Sequence, residues 1–336
     1  MRSILVTGGA GFIGSNLVVY LLKNYPEYRI VNLDKLTYAG DLENLKQVEK
    51  HSRHYFIQGN ICNQELLRYL FQTFDISGVF HLAAESHVDN SIAGPEVFIR
   101  TNVHGTFALL EAAYKHWMQA PFSCNSGYRE CCFLHVSTDE VYGSLGLTGL
   151  FDESAPYAPN SPYSASKAAS DMLVRSYYRT YGLNTVITCC SNNFGPRQHQ
   201  EKLIPTIIRS ALAGESIPIY GQGGNIRDWL YVKDHCRAMD LVFHYGKTGD
   251  TYNIGARNEW QNLEIARLIC KLLDEKAPRS DGSSYTEQIK FVSDRPGHDL
   301  RYALDATKIE RELGWQTKEE FFRGLEKTVD WYLKKF

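Results

Sequence analysis

Short continuous apolar runs alternate with amphipathic stretches through the first half of the chain. Ile4–Thr7 is an apolar, β-rich run that breaks into glycines. Ser15–Asn24 follows with helical spacing that sets Leu17, Val18, Leu21 and Leu22 on one side. Ile30–Leu33, His54–Gln58 and Val79–Leu82 predict strands, with Gln64–Phe74 a helix between the last two. A long helix is predicted from Pro95 to about Trp117, with proline at its start, where a missing N–H costs nothing. Cys131–Val136 predicts a buried strand, Pro162–Tyr181 a helix and Thr185–Cys190 a strand. Apolar runs without alternation fit burial on both faces. Strand–helix alternation implies parallel strands with crossover helices, hence an α/β, doubly wound parallel sheet.

The rhythm changes after about residue 190. Loops such as Gly221-Gln222-Gly223-Gly224-Asn225 and Ala277–Ser284 interrupt shorter elements, among them a helix at Asn262–Leu273, a strand at Ile289–Val292 and an amphipathic helix at Lys318–Lys334. Residues 1–190 are read as one domain, with later segments returning to it, and 191–336 as mainly a smaller C-terminal α/β lobe.

Charge and composition narrow the function classes. Among 336 residues, 36 Lys and Arg face 38 Asp and Glu, a formal net charge of −2. That balance argues against binding nucleic acid or an anionic membrane by bulk charge. No run approaches the ~18 apolar residues of a spanning helix. The chain enters a strand almost at Met1, which is expected to leave no room for a targeting peptide. None of the eight cysteines forms a C-x-x-C pair, and Cys131-Cys132 and Cys189-Cys190 are neighbours inside apolar runs. Neighbours on a strand point to opposite faces, so buried thiols in a reducing cytoplasm are expected, with no metal site.

Three groups of residues carry candidate chemistry. Gly8-Gly9-Ala10-Gly11-Phe12-Ile13-Gly14 follows the first strand and opens the first helix, and Asp34 lies 20 residues past Gly14. Glycines let backbone N–H groups approach a pyrophosphate at a helix N-terminus, and a carboxylate at Asp34 accepts from ribose hydroxyls while repelling a 2′-phosphate. This predicts a Rossmann-type domain preferring NAD over NADP. Tyr163 and Lys167 have the i, i+4 spacing that shares one helix face. An ammonium beside a phenol, with the positive nicotinamide, is expected to bring it toward use as a base. His135–Gly143 runs from a buried strand into Thr138, Asp139 and Glu140 at the carboxyl end, where such sheets place ligands. Beside the other two groups, adjacent acids point to a general acid/base pair.

The chain resembles the extended short-chain dehydrogenase/reductases and, within them, the dTDP-glucose 4,6-dehydratase family. The resemblance spans Leu33–Gly40, His81–Asp89, Ser137–Gly143, Ser161–Lys167, Glu201–Pro205, Arg227–Val232 and Arg295–Asp299. It implies NAD-dependent dehydration of a nucleotide glucose. Tyr163 would be the base at the sugar 4-hydroxyl, Glu140 the base at C5 and Asp139 the acid at the 6-oxygen. Thr138 would meet the 4-oxygen, and Lys167 also the nicotinamide ribose. Lys35, Leu36, Thr37, Asn60, Ile61, Leu82, Ala83, Ala84, Ser86, Thr101 and Asn193 would join Gly8, Gly11, Phe12, Ile13, Gly14 and Asp34 around the cofactor. Ser86, Asn192, Lys202, Leu203, Pro218, Ile219, Tyr220, Arg227, Asn262, Asp294, Arg295 and His298 would hold the nucleotide sugar, with Arg227 the natural cation for phosphate. Pro95–Trp117 and Pro162–Tyr181 would supply a homodimer interface.

Two departures stand out: Asn60 where relatives carry an acid before Ile61, and the atypical Gly195-Pro196-Arg197-Gln198-His199-Gln200. Three rival readings remain open at this stage. A UDP-glucose 4,6-dehydratase differs by one methyl of the base, a UDP-sugar 4-epimerase needs neither the C5 base nor the C6 acid, and a non-catalytic NAD-sensing protein needs none of the four reactive groups.

Overall fold

The computed structural model describes residues 1–336, built around a seven-stranded parallel sheet. Its strands are β1 (Arg2–Thr7), β2 (Tyr28–Asp34), β3 (His54–Gln58), β4 (Ile76–His81), β5 (Cys132–Thr138), β6 (Thr185–Cys190) and β7 (Thr251–Ile254). Their spatial order is β7-β6-β5-β4-β1-β2-β3, each neighbouring pair parallel. Order reverses between β1 and β4, so connections leave in opposite directions and a crevice opens at the strands' carboxyl ends. β5 and β6 are buried along their whole length, the environment their unbroken apolar runs require.

Helices cover both faces. α1 (Phe12–Asn24) packs Leu17 and Leu21 on one face, while α2 (Gln64–Phe74), α3 (Gly105–Trp117) and α4 (Pro162–Tyr181) pack Leu67, Leu109 and Val174 on the other. α4 is well delimited. The Ser161 hydroxyl accepts from Ser164 N at 3.0 Å, Pro162 opens the first turn, and Gly182 ends the helix at φ 69°. The predicted helix from Pro95 to Trp117 is helical throughout but not uniform: Ile99–His104 widens into π turns. That widening turns Asn102 inward, where its amide donates to Glu85 O at 3.0 Å and Ser166 Oγ at 2.8 Å. Hydrophobic periodicity carries no sign of such a bulge.

β7 and α5 (Val232–Tyr245) come from beyond residue 190 yet belong to the sheet and its α1 face. The remaining lobe is built on Ile226–Tyr231, which pairs with Asn192–Phe194, Glu259–Gln261 and Arg301–Tyr302, around a core including Phe194, Ile207, Trp229 and Leu325. All eight cysteines are free, but burial fails at two of them: Cys62 is half-buried and Cys124 is exposed on a short hairpin after α3. Cys131 precedes β5 rather than lying in it.

Phe80 on β4 stacks on Phe243 of α5 with ring centroids 4.3 Å apart, and is fully buried. Phe80→Ala is expected to lower the free energy of unfolding by ~3–5 kcal/mol in a denaturant titration; a loss below ~1 kcal/mol would contradict this packing account.

Candidate active site

β1 runs into a loop that accepts only glycine at its tight points. Gly8 has φ 71°, and a Cβ there would stand 2.8 Å from the Ala83 backbone. A Cβ on Gly14 would stand 2.2 Å from Gly8 O. No side chain caps α1, so its first N–H groups are left for a ligand. Asp34 closes β2 and ties the loop down, taking Ala10 N–H at 2.8 Å on one oxygen and Leu36 N–H at 2.8 Å on the other. A dinucleotide with free ribose hydroxyls fits this cradle.

One cleft contains nearly all the residues the sequence assigns to the cofactor: Gly8, Gly11, Phe12, Ile13, Gly14, Asp34, Lys35, Thr37, Asn60, Ile61, Leu82, Ala83, Ala84, Ser86, Thr101 and Asn193. Leu36 is the exception, because its side chain packs against the sheet core instead. Asn60 keeps a local task, its carbonyl oxygen accepting Cys62 N–H at 2.9 Å.

The same cleft gathers Thr138, Asp139, Glu140, Tyr163, Lys167, Asn192 and Lys202. The Thr138 hydroxyl donates to Asp139 at 3.2 Å and accepts Glu140 N–H at 3.4 Å, so it ties the two acids together at the strand end. Asp139 is 2% exposed, and burial with Glu140 beside it holds its carboxyl well above the usual range. Burial also raises Glu140, opposed by Arg295, Arg227 and Lys202. The expected lowering of Tyr163 does not occur in the chain by itself. Burial first and Glu140 second push its phenol well up, and Lys167 bonds Val136 O at 2.8 Å and His135 at 3.4 Å rather than the phenol. Desolvation outweighs a cation held one helical turn away.

Of the second-lobe residues that the sequence assigns to the nucleotide sugar, all but Asn192 and Lys202 lie outside this wall. Arg227 is buried and committed to backbone carbonyls, donating to Ile226 O at 2.8 Å and Asp299 O at 3.0 Å, with Tyr302 4.3 Å beneath it. Ile219 belongs to the lobe's core, Leu203 packs against it, and Asn262 opens a helix. Pro218 sits on the strand beside them. Tyr220, Asp294, Arg295 and His298 form a separate cluster: Tyr220 donates to Asp89 at 3.0 Å, Arg295 lies 3.7 Å from Asp89, and His298 pairs with Asp294 at 2.6 Å.

The sequence reading missed Glu85, Cys190, Ser191, Gln198, His199 and Glu201 in the cleft wall. The atypical segment was the available signal. It crosses the start of α1, where Asn16 donates to Pro196 O at 3.1 Å and Arg197 donates to Ser15 O at 3.1 Å and Gln47 Oε1 at 3.0 Å.

The model of the family described as GDP-mannose 4,6 dehydratase matches residues 5–328. A dTDP-glucose 4,6-dehydratase of Xanthomonas campestris pv. campestris is 54% identical over 333 residues, covering 99% of this chain and 93% of that protein. The crystal structure of dTDP-glucose 4,6-dehydratase from Bacillus anthracis in complex with NAD is similar at TM-score 0.86 and 46% identity, covering 99% and 97% of the two chains. That of the Streptomyces venezuelae dTDP-glucose 4,6-dehydratase, also with NAD bound, is similar at TM-score 0.88 and 45% identity, with the same 99% and 97% coverage.

Two outcomes follow from the site's packing and electrostatics. A clash like that of Gly14 costs about 1–3 kcal/mol, so Gly14→Ala is expected to weaken NAD binding at least about fivefold in a fluorescence titration; unchanged affinity would contradict the cradle. The raised carboxyl of Asp139 contributes stability that is present below the ordinary aspartate range and lost as pH rises through its own value. Asp139→Asn is therefore expected to melt higher than the wild-type chain at neutral pH, with a gap that narrows toward acid; a gap independent of pH would contradict the burial argument.

Proposed function

The chain belongs to the GDP-mannose 4,6 dehydratase family, and from that premise we infer that it dehydrates dTDP-glucose with NAD, giving dTDP-4-keto-6-deoxyglucose. The observation that carries the reading is buried Asp139 with half-buried Glu140 beside it, facing the same cleft as Tyr163 and the glycine cradle. A 4-epimerase has no use for an acid at C6, and a non-catalytic sensor has no use for any of the four reactive groups.

NAD, when bound, supplies the acceptor and later the donor of one hydride, together with a positive ring beside Tyr163. Tyr163 takes the proton of the sugar 4-hydroxyl, and the 4-ketone acidifies C5–H. Glu140 removes the C5 proton. Asp139, kept protonated by burial, delivers its proton to the 6-oxygen, which leaves as water. C6 is then reduced as Glu140 returns a proton to C5, so the sugar undergoes no net change of oxidation level.

Residues 1–190 carry the cofactor and the reacting groups, and 191–336 mainly the nucleotide. Arg227, Arg295 and Lys202 are the cations available for the diphosphate: the bonds of Arg227 go to neutral carbonyls, which leave its charge uncompensated. One methyl separates thymine from uracil and is worth only ~1–3 kcal/mol in an apolar pocket, so dTDP-glucose is favoured over UDP-glucose by about tenfold or more in kcat/KM. Val97, Ile99 and Phe107 on the long helix and Met172 on α4 are exposed apolar side chains, which supports a homodimer through these helices. Eight unpaired thiols support a cytoplasmic setting. No helix is long and apolar enough to cross a membrane.

Tyr163→Phe is expected to abolish the first oxidation and any turnover of dTDP-glucose. Glu140→Gln should bind NAD normally yet lose exchange of the C5 proton, read by NMR. Full turnover by Glu140→Gln would remove it as the base.

A further inference from the structure

Tyr163, Lys167 and Asp171 recur every fourth residue along α4, and all three are buried. Lys167 is 4% exposed, and its ammonium touches only Val136 O at 2.8 Å and His135 Nε2 at 3.4 Å, neither of them an anion. A buried ammonium without a counter-charge gives up its proton readily. The same Nε2 lies 3.1 Å from Asp171 Oδ1, so the imidazole edge stands between ammonium and carboxylate. The other Asp171 oxygen accepts from Ser137 Oγ at 2.6 Å and Tyr157 OH at 3.0 Å. Neither Asp171 nor His135 reaches the cleft wall, and no step of the dehydration uses either.

The histidines, thiols and phenols packed around Lys167 and Asp171 are held toward their neutral forms. Burial lowers His81 on β4 and His135 on β5 well below the usual histidine range. It raises the Cys189 thiol on β6 and pushes that of Cys190 up to about 12. It raises the phenols of Tyr142 and Tyr157 as well. Asp139 and Glu140, on the cleft side, bear on Tyr163. Burial pushes Asp171 up to about 6, opposed by Lys167, Ser137 and Tyr157, which leaves it ionised at neutral pH.

We propose that Asp171 is a positioning residue for the dehydration: across the His135 edge it supplies the counter-charge that keeps Lys167 an ammonium beside Tyr163. The proposal rests on Tyr163 as the base at the sugar 4-hydroxyl. Asp171→Asn keeps an acceptor for Ser137 and Tyr157 and removes the charge. Lys167 then loses its proton more easily and Tyr163 becomes harder to ionise. The acid limb of the kcat profile for dTDP-glucose is expected to move about one pH unit toward alkali, with about a tenfold loss below the limb and recovery above it. KM should change little, because Asp171 lies behind Lys167 as seen from the cleft. Tyr157→Phe, which removes one donor to the carboxylate, is expected to move the limb the same way by less; it serves where Asp171→Asn fails to fold. A limb that stays in place, or a loss of equal size at every pH, overturns the proposal, since a purely structural role lowers the profile without moving it. Failure of the wild-type chain to dehydrate dTDP-glucose would instead overturn the reading beneath it.

Discussion

The carboxyl end of β5 opens into a crevice where Asp139, Glu140, Tyr163 and Lys167 line one cleft, and burial is the largest influence on the ionisation of each. Desolvation pushes the two carboxyls and the phenol up and the lysine down, so every group is displaced toward its neutral form. The neighbours then set them apart. Three cations oppose burial at Glu140, whereas at Asp139 the Glu140 carboxylate adds to burial and Arg227 is the one cation against it. That difference sets the two carboxyls apart in how readily each ionises. A pocket with four such groups is costly to fold, and a seven-stranded sheet with helices on both faces offsets that cost.

Much of this was legible in the sequence because each feature has its own local chemistry. The glycine loop, Asp34 and the Tyr163–Lys167 spacing are short-range patterns tied to a strand end and a helix start. The strands at His54–Gln58 and Thr185–Cys190 and the helices at Gln64–Phe74 and Pro162–Tyr181 have the bounds that their apolar patterns predict. What escaped was tertiary. The π turns at Ile99–His104 keep the apolar face of a helix, and only the inward turn of Asn102 reveals them. Arg227 reads as a phosphate ligand in its motif, and no pattern reveals that its guanidinium also bonds the carbonyls of Asp299 and Leu300. Gln198 and His199 reach the cleft because their loop is strapped to α1, which no periodicity encodes.

The same distinction explains how one fold holds two kinds of site. The cofactor wall is set by backbone: glycines, a helix start and a carboxylate that organises two loops. The opposite side is set by side chains reaching between lobes, as Tyr220 and Arg295 do toward Asp89 and Lys202 does toward Ser86 O at 2.9 Å. Backbone-built sites tolerate little substitution, while side-chain contacts can exchange partners when a charged ligand arrives. The second lobe is thus the adaptable half of the crevice.

The central claim is that an acid and a base act on one edge of a hexose while its oxidation level is restored. Incubation of the wild-type chain with dTDP-glucose in heavy water, followed by mass spectrometry and NMR of the product, tests it directly. The expected product is lighter by one water and carries deuterium at C5. An isomer of unchanged composition, with no deuterium at C5, would contradict it and leave Asp139 and Glu140 without the roles argued for them.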